Sequence, residues 1–292
     1  MSQFLQALTD GVLGGAVYAL MAAGLTLIFG VMDIINIAQG ILVILAAYLS
    51  YALSVHLHLD PLLGLVITVP VMFVLGVVMQ WAFLSRLRGR ERTAMSLLAS
   101  YGIAVIIEGV LYQIFGSQYV AIQAWYVTST VHVFGFYLPY SYLIGCGLAV
   151  VALGAIYVTL YRTKFGRSVR AIMQDKTAAR LIGINVDRVA ALTFGIGVAV
   201  TAAGGMIFGL LSPFNPDSGY DLISRLLSIV ILGGLGSVGG ALVAALFMVT
   251  GEEMVNVFWE PKWATAVYYA ALVIVLLVRP VGLFGRREAR AQ

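Results

Sequence analysis

The sequence predicts an all-α, polytopic membrane protein of about eight spans with interrupted helices and an internal repeat, and three observations carry that prediction. The 292 residues are 61% hydrophobic and 10% charged, with a mean hydropathy of +1.00, a composition that belongs in lipid. Apolar runs of about 18 residues or more recur along the chain, without the polar alternation of a β-barrel strand and with the small residues that packed membrane helices carry. Fifteen of the seventeen basic side chains fall in three short segments: Arg86, Arg88, Arg90 and Arg92; seven residues between Arg162 and Arg188; and Arg279, Arg286, Arg287 and Arg290. Such clustering fixes orientation, with the basic segments on the cytoplasmic side. The formal charge of +4 therefore points to the lipid bilayer and carries no sign of nucleic acid.

In chain order, 11–30 and 38–55 are apolar, separated by the polar stretch MDIINIAQG. Asp60 and Pro61 open a span that reaches about residue 84 and ends at the basic turn SRLRGRER. Residues 93–115 cross next. The segment 116–139 contains no Lys, Arg, Asp or Glu and holds Trp125, Tyr126, Phe134, Phe136 and Tyr137. It is placed outside, where an interfacial aromatic belt is the commoner reading and a short strand or lid the alternative. Residues 140–160 return, 190–211 go out, and SPFNPDSGYD forms an external turn whose Pro213 and Pro216 exclude helix. The run 222–232 is too short to span before GGLGSVGG interrupts it, 241–257 leave again, and 263–278 return to a basic tail. Counting back from the basic segments puts the N-terminus outside if every run crosses. A partly inserted first helix reverses that end. The whole chain, 1–292, reads as one transmembrane domain containing a cytoplasmic loop at 161–189.

That loop is the most polar part of the chain. Val169, Ile172 and Met173 form one apolar helical stripe, and Ala178, Leu181 and Ile182 repeat the spacing nine residues on. On one continuous helix the second stripe falls opposite the first, so a break near Asp175 is expected, with Asp175 or Thr177 capping a second short helix and Gly183 ending it. Two short amphipathic helices under a membrane domain form either a docking surface or a pair of helices resting on lipid headgroups. The pattern alone leaves both open.

Two interruptions stand out within the apolar regions, GVMDIINIAQG (30–40) and GGLGSVGG (233–240). Paired breaks in the two halves suggest structural repeats whose discontinuous helices meet near the midplane and line a path; Gly-rich helix packing is the alternative for the second. The translocation-path candidates are thus Asp33, Asn36, Gln39 and Gly40 in the first break and Gly233, Gly234, Gly236, Gly239 and Gly240 in the second. Glu108, a carboxylate inside an apolar span, is added to them, its role as path residue or structural pair left open. Asn36, Gln39 and Gln113 are cheaper hydrogen-bonding groups for which simply joining helices is the alternative, and that reading is favoured for Gln113. Glu252 and Glu253 read as solvated near a span end.

Much chemistry is missing. No G-x-x-x-x-G-K-[ST] occurs, so the chain does not bind ATP by a P-loop. His56 and His58 are two apart and His132 is remote, a poor basis for a metal site. Cys146, the single cysteine, reads as a small packing residue, and no nucleophile elbow is present. No N-x-[ST] sequon occurs, and the N-terminus, with no basic segment before its first apolar run, reads as retained. The chain is not expected to be an enzyme or to carry a cofactor of its own; transport is the strong reading.

FGRSVRAIMQDKTAARLIGINVDRVAALTFGIG, with GVMDIINIAQG before it and ILGGLGSVGGALVAAL after it, strongly resembles the LivH-type permease subunit of bacterial branched-chain amino acid ABC importers, in order and over essentially the whole chain. The resemblance implies a multi-pass subunit of the bacterial inner membrane with a cytoplasmic C-terminus. It implies partners too: a second permease of similar fold, two cytoplasmic P-loop ATPases that carry ATP and Mg, and a periplasmic substrate-binding protein. The loop that presses on the ATPase corresponds to Gly166, Arg167, Arg170, Asp175, Ala178, Leu181, Gly183, Ile184 and Asn185, which favours docking over headgroup contact. Family members commonly read Asn-Phe-Ala-His-Gly at the first break, where this chain has Asn36-Ile37-Ala38-Gln39-Gly40, so no imidazole role carries over. Related permeases move urea, amides and aromatic acids, and an ion-coupled secondary transporter is the competing mechanism.

Overall fold

The computed structural model describes residues 2–86, 92–127, 129–133 and 136–285. The basic turn read at 85–92 and the basic tail after Arg279 fall largely outside the described residues. The helices in order are α1 (Ser2–Met32), α2 (Gln39–Leu57), α3 (Pro61–Ala82), α4 (Arg92–Phe115), α5 (Tyr140–Arg162), α6 (Lys164–Gln174), α7 (Lys176–Leu181), α8 (Val186–Leu211), α9 (Ser218–Gly233), α10 (Val238–Phe258) and α11 (Ala264–Val278). A two-stranded antiparallel hairpin, β1 (Thr130–Val133) and β2 (Phe136–Pro139), precedes α5. Among the described residues eight helices are long and apolar enough to cross a membrane, as the sequence predicts.

The core is built around α1 and α8, whose most apolar stretches are 78% buried, against 11–50% for the other spans. Glycines let their backbones meet neighbours, as close packing in lipid requires. A Cβ on Gly11 would stand 2.6 Å from Thr250 Cα, and one on Gly15 would stand 2.9 Å from Leu246 Cα. Gly30 lies beside Gly236, so α10 runs antiparallel along the whole of α1. On the other flank Gly76 of α3 meets Gly195 of α8.

Local chemistry sets the element boundaries. Asp60 caps α3, its carboxylate accepting from Leu62 N at 2.9 Å with Pro61 at the first helical position. Thr163 caps α6, Asn185 caps α8 and Ser237 caps α10 in the same manner. At one end of the molecule Gln6 bonds the backbone of Tyr137 in the hairpin through both its amide atoms. The strand half of the expectation for 116–139 is thus realised at Thr130–Val133 and Phe136–Pro139. Earlier in that segment Val120 pairs with Phe214, and Tyr126, 2% exposed, bonds Asp60 at 3.4 Å. Burial first, then the Asp60 carboxylate, pushes the Tyr126 phenol above its ordinary range.

The two interruptions are placed differently from the sequence expectation. Helix α1 runs on to Met32, so Asp33 emerges at the end that carries α6 and α7 and is exposed there, not held within a span. From that end residues 33–38 turn back inward, and α2 begins at Gln39, whose amide donates to Thr201 at 2.5 Å. Thr201 lies ten residues before the end of α8, about 15 Å below it at 1.5 Å per residue. The N-terminus of α9 meets α2 at this mid-depth, where a Cβ on Gly40 would stand 2.8 Å from Ile223 Cβ. Helix α9 then descends as a half-helix, and the glycine run follows it not at mid-depth but at the α6–α7 end, where Gly234 packs on Gly285 and Gly236 on Gly30. The mid-depth discontinuity of the second half is residues 212–217, immediately before α9.

Candidate functional site

Two regions hold the residues singled out above. The first is the α6–α7 unit. Asp175 ends α6 in extended conformation and caps α7, accepting from Thr177 N at 2.7 Å and Ala178 N at 3.0 Å. Gly183 ends α7 at φ +85°, a left-handed position that suits glycine. The two apolar stripes have separate fates. Val169 and Ile172 of α6 are buried under the spans, whereas Leu181 and Ile182 are 84% and 74% exposed. Helix α6 is therefore fastened to the membrane domain and α7 presents an apolar tip.

The expected docking residues divide along the same line. Arg167, Ala178, Leu181 and Gly183 are exposed. Gly166 is buried where α5 turns into α6, a Cβ there running into the carbonyls of Thr159 and Leu160. Arg170 is half-buried, donates to the Leu160 carbonyl and covers the Tyr161 ring at 5.1 Å. Ile184 packs on the core and Asn185 caps α8. What the pattern did not reveal is how the unit is tied down. Lys176 forms an ion pair with Asp33 and donates to the Met32 carbonyl at 3.2 Å, while Met173 stands beside Gly30. One small area thus joins the ends of α1, α6 and the α9–α10 turn.

The second region is the mid-depth meeting of α2, α4 and α9. Asn36 and Gln39 are inside the subunit, 1% and 0% exposed, bonded to each other at 3.1 Å and through Gln39 to Thr201. Gly40 and Gly219 allow the approach of α2 to α9. Gly233 and Gly240 close the α9–α10 turn, and Gly239 is exposed. Glu108 lies on the half-open edge of α4 and accepts from the Tyr220 hydroxyl at 2.6 Å. Tyr112, one turn on, has Asp217 as an electrostatic neighbour. Sequence reasoning left Asp217 and Tyr220 in an external turn.

It also missed Arg225. This guanidinium pairs with Glu252 of α10 at 2.5 Å, lies over the Tyr268 ring at 5.4 Å, and its backbone carbonyl accepts from the Tyr268 hydroxyl at 3.3 Å. With side chains 23% and 11% exposed, Glu252 is not solvated as expected; burial forces it onto a partner. A signal existed, since Arg225 is one of two basic residues outside the three basic segments.

Eight spans packed around two central helices, a half-helix that starts at mid-depth and an apolar tip projecting from one end make this the membrane subunit of a transport system. The chain belongs to the family described as the branched-chain amino acid transport system permease component, whose model matches residues 7–276. It is 29% identical over 299 residues to the high-affinity branched-chain amino acid transport system permease protein LivH of Escherichia coli K12, covering 98% of this chain and 96% of that one. The corresponding permease BraD of Pseudomonas aeruginosa is 27% identical over 302 residues, covering 98% and 97%. A shorter match, 28% over 146 residues, links 49% of this chain to 34% of the E. coli permease LivM.

Proposed function

We propose that this chain is the permease subunit of an ATP-driven importer of branched-chain or similar small apolar amino acids in the bacterial inner membrane. It pairs with a second permease of similar fold, takes substrate from a periplasmic binding protein and docks two cytoplasmic P-loop ATPases that hold ATP and Mg. The C-terminus then lies in the cytoplasm with α6 and α7. The observation that carries this reading is the exposed pair Leu181 and Ile182 on a helix whose neighbour is buried. An apolar tip held out by a rigid base suits insertion into a partner's cleft. Because Lys176 grips the end of α1 and Met173 abuts Gly30 beside Gly236, displacement of the tip reaches the first discontinuity and the α9–α10 turn directly, and the packed helices convert it into alternating access.

Purification from native membranes in mild detergent tests the proposal. A stoichiometric P-loop ATPase should accompany the wild-type chain and be lost from Gly183→Arg, while the variant remains in the membrane. Retention of the ATPase by Gly183→Arg contradicts the docking role. A chain that emerges alone and drives uptake from an ion gradient in liposomes would replace the importer with a secondary transporter.

A further inference from the structure

Helix α5 stands apart from the main core. It packs on α1 and α8 through small separate clusters, one of them Ala23, Leu27 and Ile156, and its outer face, with Val150, Val151, Tyr157 and Val158, is exposed. At the α6 end this packing is incomplete. A cavity of about 240 Å³ lies there between Leu27 of α1, Ile156 and Leu160 of α5, Phe165 and Val169 of α6, and Ile196 of α8. Thr193 at its wall turns its hydroxyl to the Val189 carbonyl at 2.8 Å, so the cavity offers water no partners. It is smaller than an ordinary solute pocket and suits a length of hydrocarbon chain. A cation is fixed beside it. Arg170 is half-buried, donates to the carbonyl of the wall residue Leu160 and covers the Tyr161 ring at 5.1 Å. From Tyr140 to Gln174 the chain holds Arg162, Lys164, Arg167 and Arg170 and no Asp or Glu, and no ion pair among the described residues includes any of the four. Orienting a loop needs only basic residues in water. A guanidinium held in place, partly shielded and unanswered by a carboxylate calls for an anion from outside. The exposed rings of Tyr157 and Tyr161, 4.6 Å apart, mark the interfacial level of the bilayer beside it.

We propose that this corner binds an anionic phospholipid, its phosphate on Arg170 and the upper part of one acyl chain in the cavity between α5 and α8. Juxtamembrane basic residues attract such headgroups, and the apolar cavity gives the chain a fixed seat. The exposed carboxylates Asp217 and Asp221 lie elsewhere, on α9, which packs on α2, so the face of α5 is one that its side chains leave to the bilayer. The bound lipid braces α6, the base from which α7 projects. The inference goes beyond the importer reading and does not depend on it.

Native mass spectrometry of the full chain in detergent, with whatever subunits accompany it, tests this with dioleoylphosphatidylglycerol and dioleoylphosphatidylcholine as probes. One phosphatidylglycerol per chain should bind about tenfold more tightly than phosphatidylcholine, the value of one charged hydrogen bond. Arg170→Gln should remove that preference and Arg170→Lys should keep part of it. Arg188→Gln, which removes an exposed charge from the same end, should leave it unchanged. Ile196→Phe, which fills the cavity and keeps every charge, should weaken phosphatidylglycerol severalfold. Thermal midpoints taken without lipid control for folding, and where Arg170→Gln fails that control the Ile196→Phe variant decides. Equal affinity for the two lipids, an equal loss in Arg188→Gln, or undiminished binding to Ile196→Phe would overturn the proposal. So would phosphatidylglycerol that binds the lone chain and is absent when a second permease copurifies, because the face of α5 then belongs to a subunit contact.

Discussion

Replacing Arg225 by Met should be among the most damaging single changes in the chain, and the reason can be worked from its surroundings. The guanidinium and the Glu252 carboxylate are in contact at 2.5 Å and largely shielded, with Tyr268 on one side. Unit charges about 4 Å apart attract by about 4 kcal/mol at an effective dielectric of 20. Removing one partner of a buried pair costs about 3–5 kcal/mol because the other charge stays buried without compensation. At roughly 2–3 °C per kcal/mol for a chain of this size, Arg225→Met or Glu252→Leu should each lower the thermal midpoint by roughly 6–15 °C. The double variant should recover most of that loss, because an apolar pair of similar volume also fills the site. Unfolding in nanodiscs followed by tryptophan fluorescence gives all three shifts. If the two single losses are small, or simply add in the double variant, the pair does not fasten α9 to α10.

Gly40→Val should lower both the midpoint and substrate uptake, since its side chain meets the Gly219 carbonyl and Ile223; Gly102→Val, with open space around a Cβ, should leave the midpoint of the isolated chain unchanged. Asp175→Ala should cost about 1 kcal/mol of helix stability at α7, read as faster amide exchange at Thr177 and Ala178 and weaker ATPase retention. The Tyr126 phenol has its folded pKa raised above its unfolded value near 10, so its contribution to holding the 120–127 segment is fully present below pH 10 and is lost as pH rises beyond it. Tyr126→Phe should flatten the alkaline fall in thermal midpoint, and an unchanged slope would refute that assignment.

The spans and the break in the basic loop were legible because hydropathy and the 3.6-residue period act locally. Asp175, Gly183 and Asp60 do in the structure what their residue types suggest. Helix α9 was misjudged because hydropathy begins its apolar run at Leu222. The helix begins four residues earlier because the Asn215 side chain accepts from both Ser218 N and its hydroxyl, at 3.1 and 2.8 Å. That side-chain bridge carries no hydropathy signal. Arg225 and Glu252 are 27 residues apart, and nothing local announces that one answers the other. The depth of the two discontinuities depends on α1 continuing to Met32, and the length of a helix that never leaves apolar sequence is hard to read from composition.

Helix α9 also settles a question of parity. Among the described residues there are eight full-length apolar helices, an even number that by counting alone returns the chain to the side on which it started. Residues 212–233 make a ninth passage, whose first six residues, 212–217, are irregular backbone. Accordingly Gln6 lies beside the hairpin, whereas Gly285 packs on Gly234 at the opposite end. Reporter domains fused at the two ends of this chain should therefore sample different compartments, and a topology map built from the eight full-length helices alone would assign one of them wrongly.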